Sequence, residues 1–421
     1  MPRFDSLADW LSWQETLHPR KIDPGLERVA RVAVRMALPR PAAAVVTVAG
    51  TNGKGSSIAL LSAILGQAGY RIGWYTSPHL LRYNERIVIH GDPVDDATLC
   101  RAFQRVDDAR GDDTLSYFEF GTLAALYLFS EASLDVALLE VGMGGRLDAV
   151  NLIDPDVALV TAIGIDHSAW LGADRESIGR EKAGVFRSAR PAICADPDPP
   201  ASLVRHAREI GAQLQLTGRD FDYTIRGGCW DWQGAGQSHA GLPLPALPGR
   251  HQLHNAAGVL MVLTVLGGGY PVSRPAIEHG LRTVALPARC QFVPGTVEKV
   301  FDVAHNPDSA DRLRQVLSER PASGTTWLVL GMLKDKDAGE FIKRLAPVVD
   351  RWCLGGLEGK RGLTARELQA AMQQSGISGN PLYRPDVAAA YRQALALAAP
   401  GDRVVVCGSF YTVAQALACP V

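Results

Sequence analysis

The chain of 421 residues is longer than one hydrophobic core usually holds, so two domains are expected. Its 47% hydrophobic and 21% charged residues fit a globular protein, and a formal net charge of −1 gives no electrostatic reason to expect nucleic acid or an anionic membrane as partner. Seven cysteines without a C-x-x-C pair read as reduced, buried thiols of a cytoplasmic protein, and the N-terminus lacks the unbroken apolar segment of a secretory signal.

"AAAVVTVAG" (Ala42–Gly50) reads as a buried strand, and "SSIALLSAILGQAG" after it as a helix ending at Gly69. "RIGWYT", "DVALLEVG" (Asp135–Gly142) and "DVALVTAIG" (Asp156–Gly164) are further strands. Their near-continuous apolar runs suit parallel strands covered on both faces. Between about Gln213 and Gly249 the texture changes to apolar–polar alternation broken by glycine turns, which predicts a small β appendage. A helix follows from about Leu253. Residues 289–294, inside the proline-containing stretch "LRTVALPARCQFVPG", are the expected linker. Beyond it "KVFDVAHNP", "TWLVLGMLKD", "RWCLGG" and "DRVVVCGSF" restart the strand–helix rhythm. The expectation is an α/β protein of two domains, residues 1–288 with a mainly parallel sheet and 295–421 as a second α/β domain.

Ligands of open α/β sheets bind beyond the carboxyl ends of the strands. The unusual polar loops fall there. Val45–Ala49 runs into Gly50-Thr51-Asn52-Gly53-Lys54-Gly55-Ser56, and Ile72–Tyr75 into Thr76-Ser77-Pro78-His79. Val136–Leu139 ends on Glu140 and the glycines around Met143. Val157–Ile163 leads to Asp166-His167, Val300–Val303 to His305-Asn306, and Val404–Cys407 to Gly408-Ser409. The first loop departs from G-x-x-x-x-G-K-[ST], since Val48 stands where the first glycine belongs and Gly55 follows Lys54. Its glycines, Lys54 and the following helix N-terminus still suit a polyphosphate, so it reads as a phosphate loop of variant type. Glu140, at the end of an apolar strand, has the place of a metal-binding carboxylate or of a salt-bridge partner to Arg146. Asp166 beside His167 favours a metal there. Lys182, taken alone, reads as a surface lysine on a helix.

"AGTNGKGSS", "YTSPHLLRYNERI", "FEFGTL", "LEVGMGGRLDAVN", "IDHSAWLGADRESIGREKAGV", "LPGRHQLHNAAG", "DVAHNP" and "GMLKDKD" together resemble the folylpolyglutamate synthase/dihydrofolate synthase branch of the Mur-ligase superfamily. The resemblance extends from about Leu11 to the C-terminus. It implies an ATP-dependent amide ligase, with residues 1–288 as a P-loop-type ATPase domain and 295–421 as a Rossmann-like domain, that adds L-glutamate to dihydropteroate or folates and releases ADP and phosphate. It assigns Thr51, Asn52, Gly53, Lys54, Gly55 and Ser56, with Asn255, Arg289 and Asp302, to ATP. Ser77 and Glu140 hold one Mg²⁺ on this reading, and His167 a second that Lys182, as a carbamate, supports. The pterin-bearing substrate falls to Arg82, Phe118, Glu119, Leu147, Asp148 and Ala149, and glutamate to His305 and Ser409. A monomer is expected. "LPARCQ" stands where the family usually has W-P-G-R-[FL], and Tyr411 where it often has histidine. The rival readings are a single-activity folylpolyglutamate synthase, a P-loop kinase and a non-catalytic nucleotide switch; "DVAHNP" and "GMLKDKD" weigh against the kinase.

Overall fold

The computed structural model describes residues 2–20, 22–377 and 380–419. The chain divides into two compact units, one formed by Met1–Ala246 with Leu253–Val284, the other by Leu247–Gln252 with Ala285–Val421.

The first unit carries strands β1 (Ala44–Ala49), β2 (Ile72–Tyr75), β3 (Ile87–Ile89), β4 (Asp92–Pro93), β5 (Val136–Glu140), β6 (Val157–Val160), β7 (Pro191–Cys194) and β8 (Gln213–Leu216). They form one sheet in the order β4-β3-β2-β5-β1-β6-β7-β8. From β2 to β8 every pairing is parallel, while β3 and β4 close one edge antiparallel. Every residue of β1, β5 and β6 is buried, because helices cover both faces of a central parallel strand. Aromatic rings tie the N-terminal helix Leu7–Leu17 to this core, with the fully buried Trp10 against Phe103 and Phe120.

A separate three-stranded meander, β9 (Phe221–Arg226), β10 (Cys229–Gly234) and β11 (Gln237–Pro243), is the expected appendage. It is smaller than its sequence texture suggested. Residues 213–216 are β8, hydrogen-bonded to β7 in the large sheet.

The second unit has a six-stranded sheet of β12 (Gln291–Val293), β13 (Glu298–Phe301), β14 (Thr326–Leu330), β15 (Arg351–Gly355), β16 (Leu382–Arg384) and β17 (Arg403–Cys407), ordered β12-β13-β17-β14-β15-β16. All pairings are parallel except that of β12. The stretch read as a linker is therefore an edge strand: Gln291, Phe292 and Val293 pair with Phe301, Val300 and Lys299. Its prolines flank the pairing instead of interrupting it, as an edge strand permits.

The cysteines also differ from expectation. All seven are free, but only Cys194, Cys290, Cys353 and Cys407 are buried, and the other three are partly exposed. Among the described residues no helix is long and apolar enough to cross a membrane.

Candidate active site

Beyond β1 the chain turns through Gly50–Gly53 into the helix Lys54–Gln67. Gly53 caps that helix at φ +96°, and a Cβ there would lie 2.5 Å from Asn255 Oδ1. Only glycine suits both the backbone and the close approach. Asn255, buried on the helix His251–Leu266, is thereby packed against the loop. Thr51 Oγ1 donates to Gly164 O at 2.9 Å, and Thr161 Oγ1 donates to Asn52 O at 2.8 Å, so the loop is laced to the segment after β6. Lys54 folds back over its own turn, its Nζ donating to Gly50 O at 3.0 Å and Thr51 O at 3.3 Å. The opening N–H groups of the helix at Gly55 and Ser56 complete an anion cradle.

One strand away, at the end of β5, Glu140 is buried and accepts a hydrogen bond from Ser77 N at 3.4 Å. The pair sits beside the loop because Val48 of β1 lies in register with Glu140. Among the described residues, no three His, Cys, Asp or Glu side chains gather as a metal site. A hydroxyl with one buried carboxylate still fits Mg²⁺, which at nucleotide sites takes one or two carboxylates and completes its shell with phosphate oxygens and water. His167 follows β6 in a left-handed conformation, φ 52°, capping a short helix at Ser168–Leu171, with its N–H held by Asp166 Oδ1 at 2.8 Å.

Lys182 is not a surface residue. It is 3% exposed, and burial holds its ammonium down to about 7; the neighbouring Lys54 adds to that effect, while Asp166 and Asp148 oppose it. Lys182, on the helix Arg175–Ala183, thus lies within electrostatic reach of Lys54, Asp148 and Asp166, which follow three different strands. Burial likewise raises the Asp148 carboxyl to about 7, against hydrogen bonds from Met143 N at 2.9 Å and Val150 N at 3.1 Å.

The substrate candidates separate into two groups. Phe118 lies on Tyr75, ring centroids 5.7 Å apart, and packs edge-close to Gly142, on the loop that continues through Leu147 and the buried Asp148 and Ala149. Glu119 and Arg82 are otherwise engaged. The Glu119 carboxylate closes a capping box on the helix Tyr117–Glu131, accepting from Ser116 N at 2.8 Å, and takes Arg28 Nε at 2.9 Å. Arg82 is exposed and paired with Asp96 at 2.9 Å.

In the second unit the candidates lie beyond β13 and β17. Asp302 is buried and accepts from Cys290 N at 2.7 Å and Ala304 N at 2.7 Å, with the Cys290 thiol at 3.1 Å. Arg289 stacks over Phe410 at 5.5 Å. His305 Nδ1 is 2.8 Å from Val303 O; a carbonyl only accepts, so Nδ1 bears the proton. Gly408 N donates to Ala304 O at 2.9 Å, bringing the two loops side by side. Ser409 is buried as the cap of the helix Phe410–Leu417, with its Oγ 3.0 Å from Thr412 N. Sequence reasoning missed Thr161, which braces the phosphate loop, and the cluster around Arg86. The "RYNERI" segment was visible, but nothing local in it signals burial.

A polyphosphate cradle beside a hydroxyl–carboxylate pair defines a phosphate-loop enzyme that uses a nucleoside triphosphate. The chain matches the Mur ligase middle domain over residues 48–263 and the Mur ligase, glutamate ligase domain over 288–410. It is 46% identical over 411 residues to the dihydrofolate synthase/folylpolyglutamate synthase of Escherichia coli (strain K12), covering 98% of this chain and 94% of that protein. A structure of E. coli FolC in complex with DHPP and ADP superposes with a TM-score of 0.93 at 46% identity, covering 98% of this chain and 97% of that one. A bifunctional folylpolyglutamate synthase/dihydrofolate synthase with Mn, AMPPNP and L-glutamate bound gives 0.92 at 45% identity, covering 99% and 98%. The chain belongs to the Mur ligase family, and within it to the dihydrofolate synthase/folylpolyglutamate synthases.

Proposed function

We propose that this protein is an ATP-dependent amide ligase that joins L-glutamate to dihydropteroate, forming dihydrofolate, and adds further glutamate to folates. The observation that carries the reading is the convergence of the Lys54 loop, the Ser77–Glu140 pair and the buried Lys182 at the carboxyl end of one parallel sheet.

A carboxylate is a poor acyl donor to an amine. Its oxygen attacks the γ-phosphorus of ATP, the bond to the β–γ bridging oxygen breaks, and ADP leaves an acyl phosphate. Lys54 and the helix N-terminus hold the transferring group and offset its growing charge. Two Mg²⁺ ions, one at Ser77 and Glu140 and one at His167, supply Lewis-acid charge neutralisation when bound. Thr51, Asn52, Gly53, Gly55, Ser56 and Asn255 line the phosphate path, and Arg289 and Asp302 are assigned to the nucleotide. Lys182 supports the second ion as a carbamate: its buried, neutral amine attacks CO₂ and loses a proton, turning a cation into an anionic oxygen donor. Phe118, Leu147, Asp148 and Ala149 hold the pteroyl substrate. His305, held through Nδ1 by Val303 O, is assigned to the glutamate ammonium, which must lose a proton before attack. The free amine adds to the acyl carbon, and the tetrahedral species expels phosphate. Ser409 holds the helix end that faces glutamate.

The ligase acts as a monomer on this reading, and the free thiols suit a reducing cytoplasm. ADP release with ATP and L-glutamate tests the function, with dihydropteroate or tetrahydrofolate as acceptor. Turnover with both is expected. Turnover with tetrahydrofolate alone would mean a single-activity folylpolyglutamate synthase, and ATP binding without turnover on either would mean a nucleotide switch.

A further inference from the structure

Asp196 is a buried carboxylate that the ligase chemistry does not use. It lies just beyond β7, is 3% exposed, and is bonded on both oxygens. Oδ2 accepts from Ile163 N at 2.5 Å, and Oδ1 from Asp198 N at 2.9 Å and Arg175 Nη2 at 3.1 Å. The same guanidinium donates to Ile163 O and to Asp198 O. Ile163 is thus gripped at both its N–H and its carbonyl by one ion pair. A carboxylate this deep needs a cation and a full set of donors, and an apolar side chain would fill the core at lower cost.

The grip stands in for a missing piece of sheet. On the β7 side of β6 the backbone ladder reaches Ala195 N, which donates to Val160 O at 2.9 Å. Beyond that point backbone groups still alternate sides, as they do along a strand. Ala162 and Gly164 bond the phosphate loop, while Ile163 between them meets Asp196 and Arg175. Ala162 O accepts from Thr51 N at 2.7 Å, Ala162 N donates to Asn52 O at 3.4 Å, and Gly164 N donates to Thr51 Oγ1 at 3.1 Å. Side chains therefore take over where β7 stops, and what they hold is the ledge from which Thr51 and Asn52 hang.

We propose that Asp196 and Arg175 are positioning residues for the phosphate loop, acting through Ile163 at one remove from the nucleotide. The assignment rests on the phosphate-loop reading above. Arg175 also opens the helix Arg175–Ala183, so the pair joins the loop's support to the helix that carries the buried Lys182.

Asp196→Asn is close to isosteric, and either orientation of its amide sets a donor against Ile163 N–H or against Arg175. The readouts are the Kd of ADP with excess Mg²⁺, by calorimetry, and hydrogen exchange across residues 50–53 in the free protein. The variant is expected to bind ADP at least about tenfold more weakly, and its loop amides to exchange at least about tenfold faster. KM for L-glutamate should change less than about threefold; a change matching that in ADP affinity would mark general damage and overturn the assignment. Arg175→Lys keeps a cation but not the fork that reaches Ile163 O, Asp196 and Asp198 O together. It carries the same expectation and serves if the asparagine variant fails to fold. A merely structural pair would lower the melting temperature while Kd and loop exchange stay at wild-type values, and that result overturns the assignment. Weaker ADP binding without faster loop exchange overturns it too, since the effect would then bypass the ledge. Wild-type protein that binds no ADP would overturn the phosphate-loop reading itself.

Discussion

Replacing Lys182 by methionine should stabilise the fold while destroying activity. Burial lowers the ammonium from its ordinary value of 10.5 to about 7. That gap corresponds to ~5 kcal/mol at ~1.4 kcal/mol per pH unit, a ceiling that relaxation of the site reduces. Because the folded-state value is depressed, the unfolded chain binds the extra proton between about 7 and 10.5, so wild-type stability rises with pH across that window. Below about 7 both states are protonated and the full cost remains. Methionine has similar volume and no charge, so Lys182→Met should unfold several degrees above wild type at pH 6. The difference should shrink steadily toward pH 10. Thermal unfolding in EDTA-treated, CO₂-free buffers from pH 6 to 10 measures it without metal or carbamate. A variant no more stable than wild type at pH 6, or a difference that ignores pH, would refute the burial argument. A group retained at such a cost is retained for chemistry.

Lys54→Ala should reduce turnover by at least about a thousandfold, since it removes the cation at the transferring phosphate, with the melting temperature within about 2 °C of wild type; near-normal turnover would remove the phosphate-loop role. Lys182→Ala should lose activity that short-chain carboxylic acids partly restore by standing in for the carbamate, and an undiminished rate would discard the metal-support role. Glu119→Ala should cost about 2–4 kcal/mol, read by denaturant unfolding, by undoing the helix cap and leaving Arg28 short of an acceptor. Its KM for dihydropteroate should stay within about threefold; a rise beyond about tenfold while the variant remains folded would place Glu119 on the substrate instead.

Much of the active-site reading was legible because parallel strands advertise themselves. The apolar runs of β1, β5 and β6 are continuous, and the polar residues that end them share one edge. What stayed hidden depends on partners distant in sequence. Gln291–Val293 is too short to declare a strand, and only pairing with β13 makes it one. Gln213–Leu216 joined the appendage on texture, because alternation is the same whether a strand pairs with a meander or with β7. Lys182 sits on a mostly charged helix, on the face that buries Ile178 and Ala183, and the loop comes close to that turn at Gly145, a Cβ on which would lie 2.8 Å from Glu181 O. Glu119 stood inside a family motif, yet the hydroxyl three residues earlier spells a helix cap. Arg86 offered no local clue, since its aromatic neighbours come from other segments.

The polypeptide passes from one unit to the other three times, at 246/247, 252/253 and 284/285. No single cut can therefore yield two intact fragments. A fragment ending at Val284 would keep Leu247–Gln252 but lack the sheet to which that stretch belongs, and one starting at Ala285 would lack the stretch itself. Fragment complementation should accordingly require both pieces to be co-expressed, and separately purified halves should be poor proxies for either unit. Asn255, packed on Gly53 in the first unit, lies three residues beyond that borrowed stretch. An insertion placed between Gln252 and Asn255 would thus disturb nucleotide handling from a point remote in sequence from the phosphate loop.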